Sequence, residues 1–487
     1  MTETAKKIDF KSVLSKADDA VRKFLFTDAY YILVVAIVTL AWAIRSEELG
    51  FIGLIVVSSV ALLFADDIMP FTVNIFAAFL MIYDSKVETF LHMWPVFIPL
   101  GIALIVFVVR NVGKRKFKLG KMFFPQLAVS VALLIGGVGV TDKEEFMRAF
   151  PNTITLGVAV LAVYLLYVNF TKCDENKDYG LAFAKIMTYI GLSVCIELVI
   201  CIIRSGLPVG SWNNSYWNLG WGNRNNVATY ILFTAPMSAF LATKYRKTSW
   251  IYMLICAFQY ACLLATFSRG GILCGGIAAV VAVAFVIWKG QSKKENAILL
   301  ASVLVIVGVF LIIFRDKVSD MIQSLLKRGT KLSGRNLLYE EAWELFKKHP
   351  LAGVGLGYRG DGPSAITTMQ VYLFHSTLFQ IIASMGIIGI LAYGYYYAER
   401  LYLLFRKINK RFNLFVLVAW IGFEGYSMID TGTFIPFPNM ILVMVMTFVL
   451  ELVANDDKSE EAVTINNSAN TEFIDLFRKN KKYGATE

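Results

Sequence analysis

Long apolar runs separated by short polar segments dominate the chain from about residue 29 to residue 454. The runs are about 16–22 residues long, close to the ~20 residues that a helix needs to cross the hydrocarbon core of a membrane. The alternation expected of membrane strands is absent, which excludes an outer-membrane barrel. The pattern therefore predicts an all-α protein, a polytopic bundle of transmembrane helices.

We predict about fourteen spans in this region. They lie at about 29–44, 50–65, 68–82, 94–109, 123–140, 151–170, 182–203, 226–243, 249–267, 271–288, 297–314, 371–398, 412–429 and 436–454. The third is short and weak, so one span plus a re-entrant piece over residues 50–82, and thirteen spans in all, is the alternative. The chain then divides into a cytoplasmic N-terminal tail (1–28), a transmembrane domain (29–454) and a cytoplasmic, disordered C-terminal tail (455–487).

Composition agrees with a membrane protein. Of 487 residues, 57% are hydrophobic and 17% are charged, and the mean hydropathy is +0.60. No internal repeat is visible, which counts against transporters built from inverted repeats. The N-terminal region has no apolar core followed by a small-residue cleavage site, so it does not predict a secretory signal.

The positive charges predict the orientation of the bundle. Placing both termini in the cytoplasm also places the basic loops there, as the bias of lysine and arginine requires. These loops are RNVGKRKFKLGK (110–121), KYRKT (244–248), KGQSKKE (289–295) and ERLYLLFRKINKR (399–411). The formal net charge of +11 thus reflects topology, and without a soluble basic domain we expect no nucleic-acid partner.

The sequence predicts neither a metal site nor any other cofactor. The six cysteines show no metal-ligand spacing, and five of them lie in apolar runs, as is typical of core residues. No D-x-D or H-x-x-x-H pattern occurs in the predicted outer segments.

Three predicted outer segments collect the polar residues: loop 204–225, the turn SRGG (268–271) and the long segment 315–370. A loop as long as the last one is usually functional. Within it, Leu338, Ala342 and Leu345 recur at helical spacing and predict an amphipathic helix over residues 335–348.

Arg335 opens that helix. A cation is unfavourable at a helix N-terminus unless an anion answers it, so Arg335 is either a solvated side chain or part of an anion site. GVGLGYRGDG (353–362) lacks the GK[ST] of a phosphate loop and has no preceding strand, so its glycines predict a tight turn or a close backbone approach.

Four further residues are candidates for chemistry. Of the three histidines, His375 opens the predicted span 371–398 at the same face as Arg269, and it is either a structural residue or a general base. Glu197 and Glu424 lie within spans, where a carboxyl group is either functional or paired for structural reasons. Asp430 ends the thirteenth span at the outer face and is the more accessible acid.

Four motifs together resemble the superfamily of O-antigen ligases and O-antigen polymerases, membrane glycosyltransferases that use undecaprenyl-diphosphate-linked glycans. They are GNRNN (222–226), TFSRGG (266–271), SGRNLLYEEAWELFKKHPLAGVGLG (333–357) and FHSTLFQIIASMGIIGI (374–390). The resemblance covers about residues 210–400, and the first 200 residues match only as apolar spans.

The resemblance implies roles for particular residues. Arg269 and Arg335 would bind the donor diphosphate, and His375 would take part in catalysis. Ser376 follows this histidine where the family often has asparagine. A late acid of the family would fall near Asp430, which we expect to contact substrate.

We also expect Arg224 and Asn226 of GNRNN to contact substrate. Arginine suits a diphosphate because its planar fork binds two oxygens and stays charged.

The function implied is transfer or polymerisation of glycan from an undecaprenyl-diphosphate-linked donor to a glycan or lipid-glycan acceptor. It would take place at the extracytoplasmic face of the cytoplasmic membrane, without a metal and with inversion at the anomeric carbon. The polymerase reading is preferred over a ligase that moves the glycan to another acceptor. A transporter of polysaccharide or lipid-linked oligosaccharide is the alternative from another class.

Overall fold

The structure is a computed structural model, and it describes residues 18–83, 92–175, 177–208, 211, 217–313, 315, 316, 319, 323, 335–359, 371–430, 432–434 and 438–455. Residues 1–17 of the predicted N-terminal tail and 456–487 of the predicted C-terminal tail therefore lie outside the described residues, as does much of segment 315–370. Over the described ranges the chain is helical with no β-strand, apart from one isolated bridge between Asn218 and Asn223. The predicted all-α fold is confirmed.

Sixteen α-helices of the described part are labelled in chain order, and a short helix, Asp18–Phe24, precedes them. They are α1 (Asp28–Ala43), α2 (Glu47–Phe64), α3 (Thr72–Leu80), α4 (Ile98–Asn111), α5 (Phe123–Ile135), α6 (Lys143–Ile154), α7 (Val160–Phe170), α8 (Tyr179–Ser205), α9 (Arg224–Lys244), α10 (Ser249–Ala265), α11 (Arg269–Lys289), α12 (Lys293–Ile313), α13 (Arg335–Lys348), α14 (Thr377–Arg406), α15 (Arg411–Ser427) and α16 (Pro438–Asn455). A π-helical turn, Thr155–Ala159, joins α6 to α7.

Seven helices in the described ranges are long and apolar enough to cross a membrane, or eight if the bent pair Asp18–Phe24 and Asp28–Ala43 forms one span. The protein is thus a multi-pass membrane protein, although this count is below the predicted thirteen or fourteen. The difference comes mainly from predicted spans that became short helices. Helix α5, for example, has 13 residues and covers about 20 Å, less than the ~30 Å core. It ends at Ile135 because Gly137 and Gly139 take positive φ angles of 84° and 83°.

Helix α9 lies at the centre of the bundle. Every residue from Val227 to Thr243 is buried, and the helix packs against α8, α10, α11 and α15. Its N-terminus is capped by Asn223, whose Oδ1 accepts the backbone N–H groups of Asn225 and Asn226 at 2.9 and 3.4 Å. The GNRNN motif is therefore anchored at the end of the most buried helix.

The predicted helix over 371–398 is wrong at its start and in its shape. Residues 371–376 are not helical, α14 runs from Thr377 to Arg406, and it is broken at Gly386, which has φ 59° and ψ −148°. A break of this kind leaves backbone groups without their helical partners.

The segment Pro350–Gly355 supplies those partners. Four backbone hydrogen bonds join it to the break: Val354 N–H to Ala383 O (2.8 Å), Gly355 N–H to Ser384 O (2.9 Å), Ile387 N–H to Pro350 O (2.8 Å) and Ile388 N–H to Leu351 O (3.2 Å). A Cβ atom on Gly353 would lie 2.3 Å from Ala383 O. The glycines of GVGLG therefore permit close approach to a broken helix, which is one of the two roles predicted for them.

The basic loops meet at the other end of the bundle. The N-terminus of α15 contacts the C-terminus of α9 through Arg411 Nη1, which donates to Thr243 O at 3.1 Å. Loop residue Lys121 donates its backbone N–H to Glu451 of α16 at 3.1 Å. The charged loops and the motifs of the predicted site thus lie at opposite ends of α9 and α15.

Candidate active site

Asp430, just beyond α15, is the point where the predicted motifs meet. Its Oδ1 lies 3.0 Å from His375 Nδ1. Its Oδ2 accepts hydrogen bonds from Arg335 Nη2 (3.0 Å), Asn225 Nδ2 (3.2 Å) and the Tyr426 hydroxyl (3.2 Å). We call these five residues the Asp430 cluster. Asp430 is buried and has four partners, as a buried carboxyl group requires.

His375 is held from both its backbone and its ring. Its φ of 51° is in the left-handed region, which is strained for a residue other than glycine and is common at functional sites. The Tyr339 hydroxyl donates to His375 O at 3.0 Å, and burial raises the pKa of that hydroxyl, so it stays protonated. With Asp430 on Nδ1, a neutral imidazole carries its proton there and leaves Nε2 as a proton acceptor.

Gln380 is a residue that the sequence analysis did not single out. It is fully buried one turn into α14. Its Nε2 donates to Tyr372 O (3.1 Å), and its Oε1 accepts the Phe374 N–H (3.1 Å). These bonds fix the extended residues before His375. The only sequence signal for Gln380 is its place in the motif FHSTLFQ, because the spacing of apolar residues does not indicate that its side chain binds the preceding backbone.

Arg335 opens α13, and the predicted amphipathic helix over 335–348 is confirmed. Ala342 and Leu345 on its apolar face are buried. The anion that answers the Arg335 charge in this structure is Asp430, and Arg335 Nη1 also donates to Ile429 O. The first reading of Arg335, a solvated side chain, is therefore wrong, because the guanidinium is paired and its side chain is only 23% exposed.

Arg269 is the first residue of α11 and is exposed at the edge of the cluster. The turn that carries it packs on the residues around Asp430. A Cβ on Gly270 would lie 2.5 Å from Ile429 Cδ1 and 3.0 Å from Tyr426 Cε2, so the backbone at this position packs closely on those side chains. Phe267, in the same turn, is strained like His375, with φ 53°.

The GNRNN motif reaches the cluster through Asn225. Arg224 and Asn226 were predicted to contact substrate, and that stays a prediction. Arg224 begins α9 and is half-buried. Asn226 lies against Gly222, where a Cβ would meet the Asn226 Cβ at 2.8 Å. The three residues are adjacent in sequence, so only the direction of each side chain distinguishes them.

An apolar cavity of about 450 Å³ lies beside the cluster, between α13 and α14. We call it the aromatic groove. Tyr339 and Phe379 stack in it with centroids 4.5 Å apart, and its full lining is Tyr339, Glu340, Trp343, Leu378, Phe379 and Ile382. Because the Tyr339 hydroxyl also donates to His375 O, Tyr339 both lines the groove and contacts the histidine.

The other candidate residues lie apart from this cluster. Glu424 pairs with Arg400 at 2.8 Å, and Glu197 accepts hydrogen bonds within the bundle. His349 directly follows α13, and its N–H donates to Leu345 O. Within the described ranges, no group of three or more His, Cys, Asp or Glu side chains is placed to hold a metal ion, and metal independence stays a prediction.

These features define a class: a multi-pass helical membrane protein with a charged, hydrogen-bonded site at one end of its bundle. A family model described as O-antigen ligase matches residues 251–394. This match confirms the resemblance to the superfamily of O-antigen ligases and polymerases over that stretch. It supports membrane glycan processing of the ligase or polymerase type. No curated protein matches the chain.

The matched stretch contains Arg269, Arg335 and His375, and it ends before Asp430. Asn225 also lies outside it, before residue 251. Asp430, Asn225 and Tyr426 are therefore placed in the cluster by the geometry and not by the match.

Proposed function

We propose that the protein is a glycosyltransferase that transfers or polymerises glycan from an undecaprenyl-diphosphate-linked donor at the outer face of the cytoplasmic membrane. The observation that carries the proposal is Asp430, which joins a histidine base to an arginine that suits a diphosphate. The site then has a proton acceptor and anion-binding groups side by side.

The proposed reaction is a direct displacement at the anomeric carbon of the donor. The acceptor hydroxyl loses its proton to His375 Nε2 as its oxygen forms the new glycosidic bond. The bond between the anomeric carbon and the diphosphate breaks, and the lipid diphosphate leaves with the electron pair. A single displacement inverts the anomeric configuration, and general-base help of this kind is worth about 10²–10⁴-fold in rate.

Two arginines would stabilise the leaving group. Arg269 is exposed at the edge of the cluster. Arg335 donates to Asp430 and Ile429, but a guanidinium has five N–H groups, so others remain for phosphate oxygens. Preorganised donors at the developing charge are a large source of catalysis. The lipid diphosphate is already a good leaving group, which is why we propose no metal.

The aromatic groove supports a lipid-linked substrate. Its walls are apolar, and it adjoins His375 through Tyr339. The first isoprene units of a polyprenyl carrier fit such a surface, with the diphosphate directed to the arginines.

The orientation is tested by labelling with an impermeant maleimide. Leu337 on α13 is 70% exposed, and Lys116 is exposed in a basic loop. In a background where Cys173 is replaced by serine, a cysteine at Leu337 should label in intact cells, and a cysteine at Lys116 only after permeabilisation. The reverse pattern would place the site in the cytoplasm.

Reconstitution with defined lipid-linked repeat units tests the reaction itself. A ladder of chain lengths on the carrier lipid supports a polymerase, and single transfer to a different acceptor supports a ligase. Purified protein that forms no glycosidic bond but moves the lipid-linked glycan across the bilayer would make it a transporter.

A further inference from the structure

Glu197 is a buried carboxyl group that the proposed mechanism does not use. It lies within α8 and is fully buried. Its Oε2 accepts the indole N–H of Trp221 at 2.7 Å, and its Oε1 accepts the Ser193 hydroxyl at 3.2 Å. An acidic side chain inside a membrane span is costly, so its retention requires a reason.

Trp221 belongs to the residues 217–223, which we call the tryptophan loop. Two other indoles fix this loop to the bundle. Trp42 Nε1 donates to Leu219 O at 2.8 Å, and Trp217 Nε1 donates to Ala265 O at 3.0 Å. The loop closes on itself through the Leu219 N–H, which donates to Gly222 O at 2.9 Å.

Both ends of the tryptophan loop lead to the Asp430 cluster. Ala265 ends α10 and directly precedes TFSRGG, the turn of Arg269. At the other end, Asn223 caps α9, and Asn225 donates to Asp430. The bond from Trp221 to Glu197 therefore attaches to the bundle a loop that leads directly into Asn225, one donor of the cluster.

We propose that Glu197 is a positioning residue for glycan transfer, which holds the tryptophan loop through Trp221 so that Asn225 keeps Asp430 directed at His375. This inference rests on the proposed function. It differs from a merely structural role, because it assigns the effect to one hydrogen bond and to the catalytic step.

Steady-state kinetics of variants tests the proposal. Glu197→Ala should lower kcat about tenfold, the size expected when a buried N–H group, here that of Trp221, is left without its acceptor. The donor KM should stay within about twofold, because Arg269 and Arg335 are unchanged. Glu197→Gln should stay within about threefold of the parent protein, since its amide oxygen still accepts the Trp221 N–H.

A second variant keeps the test valid if Glu197→Ala fails to fold. Trp221→Phe removes the same hydrogen bond from the other side and should lower kcat to a similar extent. The double variant should be no slower than either single variant, because residues that act through one contact are not additive. Ser193→Ala, which leaves the Trp221 bond in place, is the matched control and should behave like the parent.

Hydrogen–deuterium exchange gives a readout that needs no substrate. The amides of Asn225 and Asn226, which donate to the cap residue Asn223, should exchange faster in Glu197→Ala and at the parent rate in Glu197→Gln. Unchanged exchange, additive kcat losses, or equal losses in the alanine and glutamine variants would each overturn the proposal. If the parent protein transfers no glycan while exchange in Glu197→Ala rises as expected, the proposed function is rejected. The effect of Glu197 on the catalytic step is then rejected as well, and only its hold on the tryptophan loop remains.

Discussion

The substitution Asp430→Asn tests the site most directly, because the structure fixes how the new amide must lie. Three donors, from Arg335, Asn225 and Tyr426, converge on Oδ2. The amide oxygen must take that position, since an NH₂ group there would face three donors. The amide nitrogen then replaces Oδ1, 3.0 Å from His375 Nδ1.

This orientation reverses the hydrogen bond to the imidazole. The amide N–H requires Nδ1 to be an acceptor, so the ring proton moves to Nε2, the atom proposed as the base. In serine-protease triads the same change lowers kcat about 10⁴-fold, and a general base is worth about 10²–10⁴-fold. We therefore expect a loss of about 10³-fold, equivalent to about 4 kcal/mol of transition-state stabilisation.

The assay is single-turnover transfer from a defined lipid-linked glycan in proteoliposomes, with donor binding measured separately. Donor affinity should remain within a few fold of the parent. The matched control is Glu344→Gln, which removes one carboxylate on α13 whose ion pair is with Lys347. A rate for Asp430→Asn within tenfold of the parent, in folded protein, would refute the assignment of Asp430 as the residue that orients His375.

Four further outcomes are expected. His375→Ala should abolish transfer and keep donor binding, whereas His92→Ala should stay active; a normal rate for His375→Ala would require another base. Arg335→Lys should lower the transfer rate at least tenfold in the same assay, because an ammonium group cannot replace the planar guanidinium that contacts two oxygens in this structure. Full activity of this variant would mean that Arg335 supplies only a positive charge. Gly353→Ala should lower the free energy of unfolding by more than about 1 kcal/mol, because the φ of Gly353 is 62° and the added Cβ would lie 2.3 Å from Ala383 O. An unchanged melting temperature in detergent would contradict the close approach of Gly353 to helix α14. Transfer should survive EDTA, and a loss restored by Mg²⁺ or Mn²⁺ would show that the arginines do not suffice.

The features predicted well from the sequence were those set by periodicity and by topology. Helix α13 has the predicted bounds because its apolar residues recur at helical spacing above a polar face. Arg269 and His375 lie at the same end of the bundle because each flanks an apolar run at that face.

The features that were missed depend on side-chain direction and on backbone breaks. The apolar run VYLF (371–374) looks helical by composition, but Gln380 holds it extended. Helix α5 is shorter than the predicted span because hydropathy does not show that Gly137 and Gly139, with positive φ, follow its end. Asn225 was missed, and Asp430 was not foreseen as the partner of Arg335, since neither contact follows from spacing along the chain.

The break in α14 has a consequence for how the protein is made. A helix normally enters the bilayer with its backbone hydrogen bonds already closed, because lipid offers no partners. Helix α14 cannot do so at Gly386, because the carbonyl and amide groups at the break form their hydrogen bonds with the segment Pro350–Gly355. That segment is synthesised before α14, so its partner is present when the helix leaves the ribosome. Membrane insertion of α14 and docking of the preceding loop are thus one coupled event, and a substitution in GVGLG should appear first as a defect in biogenesis, seen as rapid turnover of newly made chains.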